Sequence, residues 1–123
     1  MIVLNITTED LSPPIPGKTV KIVRFDGQMD SSNIEEKKKI LDEIIVKNPK
    51  NLFFIFDFEK LTYMNSLAIG CLAECHQNVE SGGGKILVAR PTENILDLLK
   101  VVGIDKFITV YPSVEAAKAA LLQ

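Results

Sequence analysis

The feature that most constrains the fold is a run of apolar residues near the middle of the chain. Residues 52–58 read LFFIFDF, with one charged residue among seven. Side chains along a strand point alternately to the two faces of its sheet. A run that is apolar at nearly every position therefore suits a strand that is covered on both faces. We interpret this run as the central strand of a sheet.

Strand and helix patterns alternate along the rest of the sequence. Short or alternating apolar patterns predict further strands at residues 2–6, 18–25, 85–89 and 107–110. Apolar residues at helical spacing predict helices at about 31–47 and 65–81, and from residues 92 and 113 onward. The resulting order, ββαβαβαβα, implies an α/β fold with a mixed, mostly parallel sheet of about five strands and four helices. The first two strands can pair antiparallel.

Local signals mark several boundaries between these elements. The segment 7–17 contains three of the six prolines and is predicted to be a loop. Asp30 or Ser31 is the predicted N-cap of the first helix. In the same way, Asn65 or Ser66 is the predicted N-cap of the second helix.

Composition limits the class of protein. At 123 residues, 46% of them hydrophobic, the sequence fits one domain over residues 1–123. The formal net charge is −2, without the basic face of nucleic-acid and membrane-surface binders, so we expect no nucleic-acid partner. No apolar stretch approaches the ~18 residues of a membrane span, and the first residues do not resemble a signal peptide. We expect a cytoplasmic protein without direct membrane insertion.

The sequence contains little that resembles catalytic or metal-binding machinery. His76, the only histidine, falls on the apolar stripe of its predicted helix and is interpreted as a core residue. Ser66 lies in no G-x-S-x-G motif. Cys71 and Cys75, four residues apart, suggest neither a disulfide framework nor a complete zinc site. Glycines 82–84 end a helix, whereas a phosphate-binding loop opens one. We expect no enzyme activity, no cofactor and no metal.

Two small polar residues, Asn65 and Ser66, lie where the central strand gives way to the second helix. Either one can act as an N-cap, which is worth ~1 kcal/mol. The N-terminus of a helix also stabilises anions, and the carboxyl ends of strands in α/β sheets are where ligands tend to bind. Spacing alone leaves two interpretations open: these residues form a structural cap, or they form a site that another molecule binds or modifies.

Three segments together resemble one known family. Residues 24–30 (RFDGQMD) resemble a strand end with G-x-hydrophobic-D, and residues 57–70 (DFEKLTYMNSLAIG) resemble D-L-S-x-V-x-F-[MI]-D-S-[ST]-G-L-G. Residues 82–121 resemble the C-terminal half of that family, including a G-G-x-L-x-L strand start and an alanine-rich last helix. The ordered set resembles the STAS domain, the family of bacterial anti-sigma factor antagonists, over nearly the whole chain.

The resemblance implies a fold and a function. Helices would pack mainly on one side of the sheet, and the domain would bind proteins instead of catalysing a reaction. Relatives bind a serine/threonine kinase of the anti-sigma type, and phosphorylation of the second hydroxyl residue in D-S-[ST]-G dissociates the complex. In those relatives, dissociation of the complex passes on a signal that regulates transcription. Other relatives join signalling assemblies with further STAS proteins or serve as accessory subunits of membrane transporters.

The sequence departs from the family at the phosphorylation motif. Leu67 takes the place of the phosphorylated residue, so standard phosphorylation cannot occur there, and Asn65 replaces the aspartate. Ser66 is the remaining candidate phosphoacceptor, one residue earlier and about 100° around the helix. The partner-binding surface that the resemblance implies comprises Asp30, Ser31, Asn65, Ser66, Leu67 and Ile69.

Several functions remain compatible with these residues. The chain can be a binding module without the phosphoswitch, a module whose acceptor is now Ser66, or an accessory subunit of a signalling or transport assembly. The alternative from another class is a small-ligand or nucleotide binder at the helix N-terminus near Asn65 and Ser66.

Overall fold

The computed structural model describes residues 3–123, and their elements follow one another in the predicted order, ββαβαβαβα. The strands are β1 (Leu4–Asp10), β2 (Thr19–Met29), β3 (Leu52–Met64), β4 (Lys85–Ala89) and β5 (Thr109–Tyr111). The helices are α1 (Ile34–Lys47), α2 (Ser66–Glu80), α3 (Glu93–Val102) and α4 (Val114–Leu121), with a 3₁₀ turn at Ile104–Lys106. Residue 2, the predicted start of the first strand, lies outside the described residues.

The strands of residues 3–123 form a five-stranded mixed sheet whose spatial order equals the order along the chain, β1-β2-β3-β4-β5. β1 pairs antiparallel with β2, and each later pair is parallel. The apolar run is therefore in the central strand, as predicted.

Three of the helices described lie on one face of this sheet. A right-handed crossover between parallel neighbours carries its helix to a fixed side, and successive crossovers here step in one direction. The buried side chains of α1, α2 and α3 accordingly share one core with Phe54, Phe56 and Phe58. α4 follows the last strand and packs on the opposite face against Phe53 and Ile55. The expectation of helices mainly on one side is confirmed.

The phenylalanines of β3 connect the central strand to its neighbour β2. The ring of Phe25 lies edge-on to those of Phe56 and Phe58, with centroids 5.0 and 5.2 Å apart. Each of these side chains is buried. Burying a side chain of this size contributes about 2 kcal/mol, so the β2–β3 pair forms the centre of the core.

Three strands extend several residues beyond their predicted ends. β2, predicted over residues 18–25, continues to Met29 because residues 26–29 also pair with β3. β1 continues through Asp10, so the loop predicted over residues 7–17 is wrong for its first four residues, which pair with residues 21–24 of β2. Most of β1 is exposed, and an exposed edge strand needs no apolar pattern. β3 continues past its apolar run to Met64 because β2 pairs with it along that whole length.

The start of α1 also differs from its prediction. Its N-cap residue is Asn33, not Asp30 or Ser31. The backbone carbonyl of Asp30 accepts hydrogen bonds from the N–H groups of Asn33 (3.2 Å) and Ile34 (2.9 Å). Asp30 and Ser31 therefore belong to a turn that precedes the helix.

The chain after α2 turns at glycines, as predicted. Gly83 has φ +90°, in the left-handed region that favours glycine. A Cβ at Gly84 would lie 1.7 Å from the carbonyl oxygen of Leu52, and one at Gly82 would lie 2.1 Å from that of Pro49. These contacts let β4 begin directly beside the start of β3.

Candidate functional site

The parallel pairing of β2 and β3 brings the two predicted halves of the site together. Met29 and Met64 are partners at the ends of these strands. The N–H of Asn65 donates to the carbonyl oxygen of Met29 at 3.2 Å, so the residue after β3 is held against the end of β2. The turn that contains Asp30 and the first turn of α2 are therefore neighbours.

Asn65 is the N-cap of α2, which confirms the capping prediction. Its backbone is extended, and its side-chain oxygen accepts from the N–H of Ala68 at 3.0 Å. Its side-chain nitrogen donates to the hydroxyl oxygen of Ser31 at 2.9 Å. One amide thus satisfies the helix terminus and contacts the neighbouring turn.

The turn before α1 is organised by its own side chains. One carboxylate oxygen of Asp30 accepts from the N–H (2.8 Å) and the hydroxyl (2.6 Å) of Ser32. Asn33, which is buried, accepts from the N–H of Asp30 at 3.1 Å and donates to the carbonyl oxygen of Gln28 at 2.9 Å. The role of Asn33 was missed in the sequence; an asparagine directly before the first apolar residue of a helix could have indicated it.

The exposed part of the site combines hydroxyl groups with apolar side chains. Ser31 and Ser66 are exposed. Leu67 is 43% exposed in the first turn of α2, and Tyr63, near the end of β3, is 49% exposed. Ile69 differs from its prediction as a surface contact, because it is only 9% exposed and packs in the core with α1 and α3.

The cavities large enough for a small ligand lie away from the N-terminus of α2. A groove of about 330 Å³ is lined by residues such as Asn5, Arg24, Asp57 and Arg90, and a cavity of about 280 Å³ lies beside His76. A space of about 30 Å³ between α1 and α2 is large enough for one water molecule. None of these three, within the described part of the chain, is lined by residue 65, 66 or 67.

A charged cluster that was missed in the sequence lies on the sheet face that α4 partly covers. Asp57, 3% exposed, accepts two hydrogen bonds from Arg90, at 2.9 Å from Nε and 2.8 Å from Nη2. Arg90 also donates to Glu59 at 2.9 Å. Nε of Arg24 lies 3.4 Å from Oδ2 of Asp57, the oxygen that also accepts from Nη2 of Arg90, and the guanidinium of Arg24 pairs with Glu9.

These contacts decide the charge of Asp57. Burial raises the pKa of the carboxyl group, but the hydrogen bonds from Arg90 and from the N–H of Glu59 lower it. The positive charges of Arg90 and Arg24 lower it further, so the pKa stays below its ordinary value. Asp57 and Arg90 are 33 residues apart, and the strand register, which pairs Asp57 with Ala89, brings them together.

Two of the residues considered for catalysis or metal binding, His76 and Cys75, are buried in the core, whereas Cys71 is half-buried and Ser66 is exposed. His76 is buried, with Nε2 3.2 Å from a carboxylate oxygen of Glu80 and its ring 5.4 Å from that of Phe107. Burial raises the pKa of the Cys75 thiol to about 12, so it does not supply a thiolate near neutral pH. Among residues 3–123, no group of three potential metal ligands comes together, and no helix is long and apolar enough to cross a membrane.

Comparison with solved structures shows a shared fold. An anti-sigma factor antagonist from Mycobacterium paratuberculosis is 18% identical, with a TM-score of 0.77 over 97% of this chain and 96% of that one. The phosphorylated form of the Bacillus cell fate determinant SpoIIAA is 16% identical, with a TM-score of 0.68 over 94% and 99%. The STAS domain of a SulP transporter from Vibrio cholerae is 22% identical, with a TM-score of 0.62 over 70% of each chain.

Identities of this size establish the fold alone. The family itself is established by a match between residues 14–117 and the STAS domain model. That segment contains the β2–α1 turn, all of β3 and the first turn of α2. The chain belongs to the STAS domain family.

Proposed function

We propose that this chain is a regulatory protein-binding module that resembles anti-sigma factor antagonists and is not switched by phosphorylation at position 67. The partner-binding surface comprises Asp30, Ser31, Asn65, Ser66 and Leu67. The observation that carries the proposal is the exposure of Leu67 in the first turn of α2, at the place that the resemblance assigns to the phosphoacceptor.

An exposed leucine at this position favours a contact with protein. Binding surfaces place an apolar or aromatic side chain at their centre and polar groups around it. Here Leu67 follows Ser66, and the hydroxyl of Ser31 is held nearby through Asn65. Because leucine has no hydroxyl group, a kinase cannot add a phosphate at this position. This part of the surface therefore stays apolar.

The proposed partner is a protein, either a serine/threonine kinase of the anti-sigma type or another STAS protein, in the cytoplasm. Similarity to an anti-sigma factor antagonist from Mycobacterium paratuberculosis supports this class of partner. The burial of His76 and Cys75 supports a function without catalysis. If the chain is phosphorylated at all, Ser66 is the exposed hydroxyl closest in sequence to the usual position.

The test is a binding experiment with two matched variants. The wild type, Leu67→Asp and Val101→Asp are immobilised and exposed to lysate of the native cell, and captured proteins are identified by mass spectrometry. Val101 is an exposed apolar residue of α3, 83% exposed, and serves as the control. Both substitutions are at the surface, so the stability of each variant should stay within ~0.5 kcal/mol of the wild type.

We expect the wild type and Val101→Asp to retain a kinase or a STAS protein, and Leu67→Asp to lose it. With the purified partner, calorimetry should then give an affinity at least about tenfold weaker for Leu67→Asp, as for a central interface residue. Equal capture by all three proteins would contradict the assigned surface. Capture of neither class of partner by the wild type would contradict the proposed function itself.

A further inference from the structure

The side-chain amide of Asn65 has a fixed orientation. Its oxygen faces the N–H of Ala68 at 3.0 Å, and a backbone N–H can only donate. The nitrogen of the amide must therefore point to Ser31, whose hydroxyl oxygen lies 2.9 Å away and accepts. Because Ser31 accepts in this contact, its own proton remains available to another acceptor.

This contact adds a side-chain link between two turns that the backbone bond from Asn65 to Met29 already brings side by side. In the turn before α1, the side chains of Asp30 and Asn33 bond within the turn or to the end of β2. In the first turn of α2, the side chain of Asn65 caps Ala68. Within residues 3–123, the Asn65–Ser31 pair is the side-chain hydrogen bond that joins the turn before α1 to α2.

We propose that Asn65 and Ser31 form a neutral latch that holds the turn before α1 against α2 and so fixes the arrangement of the partner-binding surface. Ser31 is then a positioning residue, which acts through Asn65. This inference rests on the proposed function, because the surface that the latch orders is the proposed partner-binding surface. The latch itself can be tested in the free protein. The inference deepens that function because it names the contact that orders the two halves of the surface.

The latch affects binding through preorganisation. A surface whose two halves are already held together loses less conformational freedom when its partner docks. Loss of the Asn65–Ser31 bond would let the turn at residues 30–33 move relative to α2. The cap on Ala68 would remain, so α2 itself would stay folded.

Three variants separate the latch from the cap. Ser31→Ala removes the acceptor, and Ser31→Thr restores a hydroxyl. Asn65→Ser keeps a side-chain oxygen suited to capping but lacks the amide nitrogen that reaches Ser31. Amide hydrogen exchange and ¹⁵N relaxation dispersion on the free full chain then report on residues 32 and 33 for the latch, and on residue 68 for the cap.

We expect Ser31→Ala and Asn65→Ser each to raise the exchange rates at residues 32 and 33 about three- to tenfold, the usual effect of one lost hydrogen bond. Ser31→Thr should return them to wild-type values, and exchange at Ala68 should be unchanged in all three variants. Combining Ser31→Ala with Asn65→Ser should add nothing further, since both remove the same bond. Wild-type exchange in Ser31→Ala would overturn the latch.

The capture experiment distinguishes the two proposals. If the latch is real and the function is right, Ser31→Ala should retain less partner than the wild type, and Ser31→Thr should recover it. If the exchange rates change as expected while the wild type captures no partner, the latch stands and the proposed function fails. If the partner is captured equally by Ser31→Ala and the wild type, Ser31 is not a positioning residue.

Discussion

At the scale of single residues, the proposed function assigns a change of surface chemistry to position 67 that leaves the fold intact. Leu67 is 43% exposed, and the resemblance to the family motif aligns it with the hydroxyl residue that is phosphorylated there. Substitutions at exposed positions cost little stability. The residue at position 67 is therefore constrained by what binds there and not by packing in the core. The cap at Asn65, two residues earlier, remains intact and keeps α2 in place.

We predict that Leu67→Ser makes the chain a substrate for a serine/threonine kinase that does not phosphorylate the wild type. The new hydroxyl would stand in the first turn of α2, at the position that the resemblance assigns to the phosphoacceptor. The measurement is incorporation of labelled phosphate with native cell lysate as the kinase source, followed by phosphopeptide mapping. Val101→Ser is the control for an exposed serine elsewhere.

Ser66 must be separated from the new acceptor. The double variant Leu67→Ser with Ser66→Ala should be labelled as well as Leu67→Ser alone. Labelling of the wild type that disappears in Ser66→Ala would instead show that the acceptor has moved one residue earlier. Absence of labelling in every variant would indicate that the kinase-binding surface has changed as well.

At the scale of elements, patterns that arise within one segment were predicted well, and features that depend on a neighbour were not. The apolar run at 52–58 and the cap at Asn65 are local, and both are confirmed. The extension of β3 to Met64 depends on pairing with β2, and the edge strand β1 reaches Asp10 for the same reason. Neither extension shows the alternating apolar pattern of a strand, since residues 7–10 are all polar and the buried residues Leu61 and Met64 are three positions apart.

The candidate site shows the same division. The resemblance grouped Asp30, Ser31 and Asn65 on one surface, but the hydrogen bond between Ser31 and Asn65 depends on two separate turns and leaves no signal in the sequence. Ile69 was placed on the surface from its position in the motif, whereas the helix turns its side chain into the core. A motif gives the order of residues, and the direction of each side chain follows from packing.

Alanine substitutions at two glycines should change stability in opposite directions. Gly84→Ala should lower the free energy of unfolding by about 3 kcal/mol or prevent folding, because a Cβ would overlap the carbonyl oxygen of Leu52 at 1.7 Å. Gly70→Ala should raise it by about 0.5–1 kcal/mol, since Gly70 lies in α2 with nothing within 4 Å of a Cβ. Urea unfolding measures both, and equal effects would contradict this account.

At the scale of the whole molecule, the Asp57–Arg90 pair connects the centre of the sheet to the segment that leaves β4. Arg90 has φ +42°, an uncommon value for a residue with a side chain, and its N–H donates to the carbonyl oxygen of Tyr111 at 2.8 Å. The residue that follows β4 thus bonds to both β3 and β5, the strands on either side of β4.

We predict that Asp57→Asn lowers the free energy of unfolding by about 2 kcal/mol at neutral pH, less than for a fully buried pair because Arg90 is partly exposed. The pKa of Asp57 is lower in the folded chain than in the unfolded one, so its contribution is complete above about pH 5 and is lost as the pH falls through the folded value. Urea unfolding at pH 7, 5 and 3.5 should show the difference between variant and wild type shrinking with acid. Asp97→Asn, at an exposed site in α3, is the control, and a pH-independent difference would contradict the assignment.

The agreement between spatial and chain order in the sheet has a consequence for synthesis on the ribosome. Each strand that emerges finds its neighbour already made, since β2 pairs with β1, β3 with β2, and so on to β5. The sheet can therefore grow one strand at a time in the direction of translation, without waiting for a distant segment. The face beneath α4 is the exception, because the helix that covers it follows all five strands along the chain. A nascent chain would keep Phe53 and Ile55 within reach of chaperones until that helix is released.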